Sequence, residues 1–167
     1  MGSPDPLITF RRVPLRAGFD RQGLERFAQH LQTRVAHGRG FHCLITGDAD
    51  LRRWNREFLH KDYPTDVLSF PAPHQAAEPD TLGDLAISRH RAAHQAIRFG
   101  HTLEEELKLL MLHGVLHLTG LDHEHDVSNK MARVERNWRL KLGLPAGLTE
   151  RAAGYTSAPT FRAKAAR

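Results

Sequence analysis

One stretch of the sequence, from Leu107 to Leu118, is apolar around almost the whole circumference of the helix that it predicts. Thr102 and Glu105 form a capping box at the start of this helix. Three consecutive glutamates, residues 104–106, occupy the first turn, where the helix dipole favours negative charge. A helix that is apolar on all sides has no face to present to water. The sequence therefore predicts that this helix lies in the middle of one folded domain.

Shorter patterns on either side predict the remaining elements, in the order β-α-β-α-β-β-α-α-α. Strands are expected over residues 7–11, 41–46, 67–70 and 82–87, earlier helices begin at Asp20, Asp48 and Ser88, and a last helix carries apolar residues from Val127 to Leu142. Strands early and long helices late are typical of an α+β fold with helices mainly on one face of the sheet. We expect about four strands in a mixed sheet and about five helices, with the apolar helix in the core.

Length and composition indicate a single domain, which we place at residues 1–150. The chain has 167 residues, of which 40% are apolar and 26% charged, close to the average of soluble globular proteins. No apolar run approaches the ~20 residues of a membrane span, and the N-terminus lacks the features of a secretory signal. The single cysteine, Cys43, lies in an apolar run and is expected in the core. These features favour a cytosolic protein without disulfides.

The last residues, 151–167, form a basic segment with four cations and no acid. This segment supplies four of the five formal positive charges of the chain. It is rich in alanine and has no clear amphipathic period, so we expect a flexible extension. Two interpretations stay open: a solvated tail without function, and an arm that adds non-specific affinity for phosphates.

Three histidines within and just after the apolar helix are candidate metal ligands. His113 and His117 lie four residues apart, so their side chains project from one face of a helix. Gly120 can end the helix and reverse the chain, which can bring His123 back to the same point. Three histidines would leave the fourth position of a tetrahedral zinc open for water, as in catalytic sites. Coincidence is the alternative, but burying imidazoles in an apolar helix is costly unless something binds them.

The residue after the first histidine decides between two kinds of zinc hydrolase. The spacing H-x3-H-x5-H is that of the metzincin proteases, so we expect the apolar helix to be a metzincin-like zinc-site helix in the core. Those proteases need a glutamate directly after the first histidine as general base. Gly114 occupies this position here. Peptide hydrolysis by the metzincin mechanism is therefore disfavoured.

Three stretches of the chain resemble the YbeY family, the rRNA maturation endoribonucleases. The family's motif His-Gly-x-Leu-His-Leu-x-Gly-x-Asp-His is met at every fixed position from His113 to His123. Residues 61–71, KDYPTDVLSFP, resemble the family's KDxPTDVLSFP stretch, and residues 82–88, LGDLAIS, resemble its LGDIxIS strand. The resemblance covers roughly residues 40–145. A motif of this length, supported twice elsewhere in the same order, is highly specific.

This resemblance implies one Zn²⁺ per chain, held by His113, His117 and His123, in a fold built around the motif helix and a four-stranded sheet. It implies a cytoplasmic endoribonuclease that hydrolyses single-stranded RNA in ribosomal RNA maturation, notably at the 3′ end of 16S rRNA, and in ribosome quality control. The implied partners are rRNA, the ribosomal subunit, and ribosomal or assembly proteins. No membrane partner is expected.

Other residues near the motif are candidates for chemistry or for RNA contacts. Asp122 adjoins a ligand and can orient an imidazole or take a proton, while the alternative is that it fixes the turn after Gly120. Lys61 is a candidate phosphate contact, or it simply pairs with an acid. Family members usually carry Arg-Gly before the Lys-Asp pair, where this chain has Leu59 and His60. Arg56, one helical turn earlier, is the candidate replacement for that arginine.

Two further functions stay open at this point. A non-catalytic ribosome assembly factor would use zinc as a structural clip, closed by a fourth protein ligand such as His125 or His60. A metal-dependent small-molecule hydrolase would use the same three histidines and water for ester or amide chemistry.

Overall fold

Five strands form one mixed sheet in the computed structural model, which describes residues 5–73, 80–122, 128–154 and 161–162. The elements in chain order are β1 (Ile8–Phe10), α1 (Arg21–Arg34), β2 (Gly40–Thr46), α2 (Asp48–Leu59), β3 (Val67–Pro71), β4 (Thr81–Ser88), α3 (Arg89–Phe99), α4 (Leu103–Leu118), α5 (Lys130–Lys141), α6 (Leu148–Gly154) and β5 (Phe161–Arg162). The predicted α+β fold is confirmed, with its four strands and five helices. Helix α6 and the two-residue β5 were not predicted.

The strand order across the sheet is β1-β2-β4-β3-β5. Strands β1, β2 and β4 run parallel, and β3 is antiparallel to β4 and parallel to β5. In the pairing of β3 with β4, Leu68 lies opposite Ala86 and Val67 opposite Ile87. Paired residues face the same side of the sheet, and successive residues along a strand face opposite sides. Val67, Leu85 and Ile87 therefore face one side, while Leu68 and Ala86 face the other.

Helix α4 lies at the centre of the larger hydrophobic core, as its all-round apolar sequence predicts. Every residue from Leu109 to Leu118 is buried. The helix packs against β3 and β4 on one side and against α1, α3 and α5 on the others. Burying a leucine side chain is worth roughly 1.5–3 kcal/mol, so this one helix supplies a large share of the driving force for folding.

The second face of the sheet is covered by α2, so the helices do not all lie on one side. Leu51 of α2 packs with Leu68 and Ala86 in a second, smaller cluster, which also contains Trp54 and Leu59. The helix has an apolar side over these strands and an arginine-rich side in solvent. None of the helices in the described ranges is long and apolar enough to cross a membrane.

The basic C-terminal segment begins inside a helix, which differs from the flexible extension expected from residue 151. Arg151 of α6 is 5% exposed and donates hydrogen bonds of 2.9 and 2.8 Å to the two carboxylate oxygens of Glu106 on α4. Its guanidinium also lies 4.2 Å from the centre of the Phe99 ring. A two-point ion pair between buried side chains fixes α6 against the core. Residues 155–160 and 163–167 of the expected tail lie outside the described residues.

Candidate metal centre

The side chains of His113 and His117 meet on one side of α4, as their spacing predicts. Both are buried, with 1% and 2% of their surfaces exposed, and their Nε2 atoms lie 3.1 Å apart. Two nitrogens bound to one tetrahedral zinc at about 2.0–2.1 Å each lie roughly 3.3–3.4 Å from one another. The observed separation is close to this value, so the pair fits two ligands of one zinc ion.

Glu135 of α5 is a third member of the centre, and sequence reasoning missed it. Its Oε2 lies 3.2 Å from Nδ1 of His113, and Glu135 itself is completely buried. An ionised carboxylate has no proton to donate, so Nδ1 of His113 carries the proton. A ring that carries its proton on Nδ1 has its lone pair on Nε2, and this atom faces His117. This is the arrangement in which a carboxylate orients a histidine ligand of a metal.

The Glu135 carboxylate is held from its other side by the start of α6. The backbone N–H of Leu148 donates to Oε1 at 2.8 Å. Gly147 leaves the space for this contact, because a Cβ there would collide with Oε1. Burial would raise the pKa of Glu135, but the adjacent His113 and these hydrogen bonds outweigh burial and hold that pKa below its usual value. The carboxylate therefore stays charged at neutral pH.

Gly114 faces the sheet, on a different side of α4 from the two histidines. A Cβ at this position would lie 2.7 Å from Cδ2 of Leu85 on β4. The carbonyl of Gly114 accepts a hydrogen bond from the Ser69 hydroxyl of β3 at 3.4 Å. A glutamate at residue 114 would point into the sheet, so this position cannot supply the general base of a metzincin-type peptidase.

Comparison with known proteins identifies the family. The family model "Endoribonuclease YbeY" matches residues 19–143, three quarters of the chain. The chain belongs to the YbeY family. Endoribonuclease YbeY of Solibacter usitatus is 57% identical over 152 residues, which cover 90% of this chain and 98% of the relative. Endoribonuclease YbeY of Koribacter versatilis is 43% identical over 135 residues, which cover 81% of this chain and 86% of the relative.

A solved structure supports the same fold. The solution structure of TM1509 from Thermotoga maritima superposes with a TM-score of 0.53 at 26% sequence identity. The match covers 78% of this chain and 85% of that one. The matched region of the family model ends at residue 143, so α6 and its Arg151 lie beyond it, while Glu106, the partner of Arg151, lies within it.

His123, the third predicted ligand, and His125 lie outside the described residues, which end at residue 122 and resume at 128. No group of three or more His, Cys, Asp or Glu side chains suited to a metal was found within the described ranges, which leave out this loop. Asp122 is partly buried at the end of the segment that follows α4. The ligand role of His123 and the catalytic role of Asp122 therefore stay predictions.

The predicted RNA contacts, Arg56 and Lys61, lie at the end of α2 and in the loop after it. Arg56 is exposed, and its guanidinium lies 3.8 Å from Oδ1 of Asp62. Arg52 donates two hydrogen bonds to the same carboxylate, at 2.9 and 3.0 Å, and these are the largest cause of the lowered pKa of Asp62. Lys61 is partly buried. Both roles in RNA binding stay predictions.

Three buried polar residues near the site act as structural hydrogen-bonding groups. The side-chain amide of Asn55 donates to the carbonyl of Tyr63 at 2.8 Å and so ties α2 to the following loop. Asp66 accepts from the Val67 amide at 2.9 Å and from the side chain of Gln95 on α3 at 3.1 Å. Ser69 joins β3 to α4 through Gly114.

Leu59 and His60, the two residues that precede Lys61, have different structural roles. Leu59 packs into the cluster between α2 and the sheet. His60 ends α2 in the left-handed conformation, with φ 57° and ψ 32°. A glycine suits this conformation without strain, whereas a side chain costs roughly 1–2 kcal/mol. His60 carries that cost in this chain.

We therefore expect His60→Gly to raise the free energy of unfolding by about 1 kcal/mol. Urea unfolding followed by circular dichroism measures the change, and His60→Ala is the matched control because it keeps the Cβ atom. Equal stabilisation by both variants would mean that loss of the imidazole, not relief of the backbone, is the cause.

Proposed function

We propose that the protein is a zinc-dependent, single-strand-specific endoribonuclease that acts in ribosomal RNA maturation in the cytoplasm. Its substrate would be rRNA in the ribosomal subunit, notably the 3′ end of 16S rRNA, with a further part in ribosome quality control. The observation that carries this proposal is the buried His113–His117 pair with a carboxylate on Nδ1 of His113. The curated relatives bear the name endoribonuclease, and this name supports the choice of RNA as substrate.

The metal site would consist of His113, His117 and His123, with one zinc ion per chain. When bound, zinc supplies a Lewis acid that polarises a phosphate oxygen and activates water near neutral pH. The described pair contributes its two Nε2 atoms on one side of α4. Glu135 keeps the His113 ring in the tautomer and orientation that a ligand needs.

Other residues of the chain would serve the RNA rather than the metal. Arg56 lies five residues before the KDYPTD stretch, and Lys61 is its first residue. Both carry positive charge that can contact phosphate oxygens. Asp122, which adjoins His123 in sequence, is the candidate to orient a ligand or to transfer a proton. Gly114 has no side chain that could act as a base. A proton acceptor would therefore be a residue other than residue 114.

The test of this function measures zinc content and RNA cleavage on the same preparations. We expect one zinc per chain and cleavage of unstructured RNA that stops on chelation and returns with zinc. His117→Ala should lose both, because it removes one of the two described ligands. Bound zinc with intact RNA at high protein concentration would contradict the nuclease function, and full cleavage by a zinc-free His117→Ala protein would contradict the metal mechanism.

The role of Glu135 has a separate test. Glu135→Gln should lower zinc affinity by about 10–100-fold, because a neutral amide holds the Nδ1 proton of His113 less strongly. Gly147→Ala should act in the same direction, since its Cβ would displace the same carboxylate. Competition with a chromophoric chelator measures the affinity.

Glu150→Gln is the matched control, because it weakens the partly exposed Arg139–Glu150 pair between α5 and α6 without contacting His113. We expect this control to keep the zinc affinity of the unaltered protein. If Glu135→Gln loses thermal stability in the zinc-free protein but keeps its zinc affinity, Glu135 is a structural residue only.

A further inference from the structure

The charges of α5 are divided between the two sides of the helix. Its twelve residues include five cations and a single acid, Glu135. Glu135 is buried against His113, together with Met131 on the same side. The one negative charge of the helix is therefore turned inward, and the outward side is left with cations only.

Four of the five cations are exposed. Arg139 is bound to Glu150 of α6, with 2.7 Å between its NH2 group and Oε2. Lys130, Arg133, Arg136 and Lys141 are exposed to solvent. Within the described part of the chain, no ion pair joins any of these four to a carboxylate. Glu124 and Asp126 precede the helix in the sequence, outside the described residues.

The spacing of these cations forms a row. Lys130, Arg133 and Arg136 follow one another at intervals of three residues, so they lie on neighbouring positions of one helix side, about 4.5 Å apart along the axis. Leu140 continues the row with 57% of its surface exposed. Lys141 lies beside it, with its ammonium 4.9 Å from the Trp138 ring.

Several arginines and one lysine elsewhere on the described surface pair with nearby acids. On α2, Arg52 and Arg56 share Asp62, and Arg53 pairs with Asp50 at 3.1 Å. On α1, Arg26 pairs with Asp20, and on α4, Lys108 pairs with Glu104. On the outer side of α5, no ion pair joins Lys130, Arg133 or Arg136 to a described carboxylate, and Arg136 acts on Glu150 only from a greater distance. What sets this surface apart is that three such cations follow one another along one helix side.

We propose that the outer side of α5, formed by Lys130, Arg133, Arg136 and Lys141, binds the phosphate backbone of single-stranded RNA that enters the metal centre. This inference rests on the proposed function and names the surface that holds its substrate. The inner side of the same helix contacts His113 through Glu135, so the cations lie about one helix diameter, roughly 10–12 Å, from that contact. Cations in such a row bind the phosphate backbone without regard to base sequence.

The test compares two variants with equal loss of charge. One carries Lys130→Ala, Arg133→Ala and Arg136→Ala, and the matched control carries Arg16→Ala, Arg34→Ala and Arg39→Ala, three exposed arginines on and around α1. Binding of a fluorescein-labelled oligouridine to zinc-free protein is followed by anisotropy over a range of salt concentrations. Cleavage at saturating RNA is measured separately with zinc-loaded protein.

We expect the α5 variant to bind RNA at least tenfold more weakly, and the slope of log K against log salt to fall by about 2, since each lost phosphate contact on a single strand contributes about 0.7. The control should change affinity less than twofold and should keep the cleavage rate of the unaltered protein. Equal losses in both variants, or no loss in either, would overturn the inference. If the unaltered protein binds RNA but does not cleave it, the proposed function fails, while the binding comparison still decides the role of α5.

Discussion

The close approach of α4 to the sheet at Gly114 determines where the candidate metal centre lies. The absence of a side chain at this position lets the helix backbone pack against Leu85. With residue 114 fixed against the sheet, the helical periodicity turns His113 and His117 away from it and toward α5. The centre is therefore built between α4 and α5, in a region from which water is largely excluded. The positions of His113 and His117 are a consequence of core packing.

Burying two imidazoles and a carboxylate in this core is costly, and the structure offsets that cost with specific partners. The Glu135 carboxylate accepts a hydrogen bond from Nδ1 of His113 on one side and from the Leu148 amide on the other. An unpaired buried charge would cost several kcal/mol. The start of α6 lies beyond the residues that the family model matches, yet its Leu148 amide holds Glu135, which lies within them. Arg151 adds a second connection, because it joins α6 to Glu106 on α4.

Much of this fold was predictable because its signals are local. The capping box at Thr102, the all-round apolar α4 and the left-handed turn glycines are features of neighbouring residues. The contact between His113 and Glu135 joins residues 22 positions apart, and the pair of Glu106 and Arg151 joins residues 45 apart. Such contacts depend on how elements pack, which periodicity alone does not specify. One signal was available: Glu135 follows Met131 by four residues, so an acid lies on the buried side of an amphipathic helix.

Zinc K-edge X-ray absorption on protein reconstituted with one equivalent of zinc tests the central claim most directly. The account predicts three nitrogen ligands at about 2.0–2.1 Å and one oxygen ligand from solvent, with loss of imidazole scattering in His117→Ala. A shell of four imidazoles would indicate a closed structural site and contradict the hydrolase. An unchanged spectrum in His117→Ala would show that the buried histidine pair does not bind the metal.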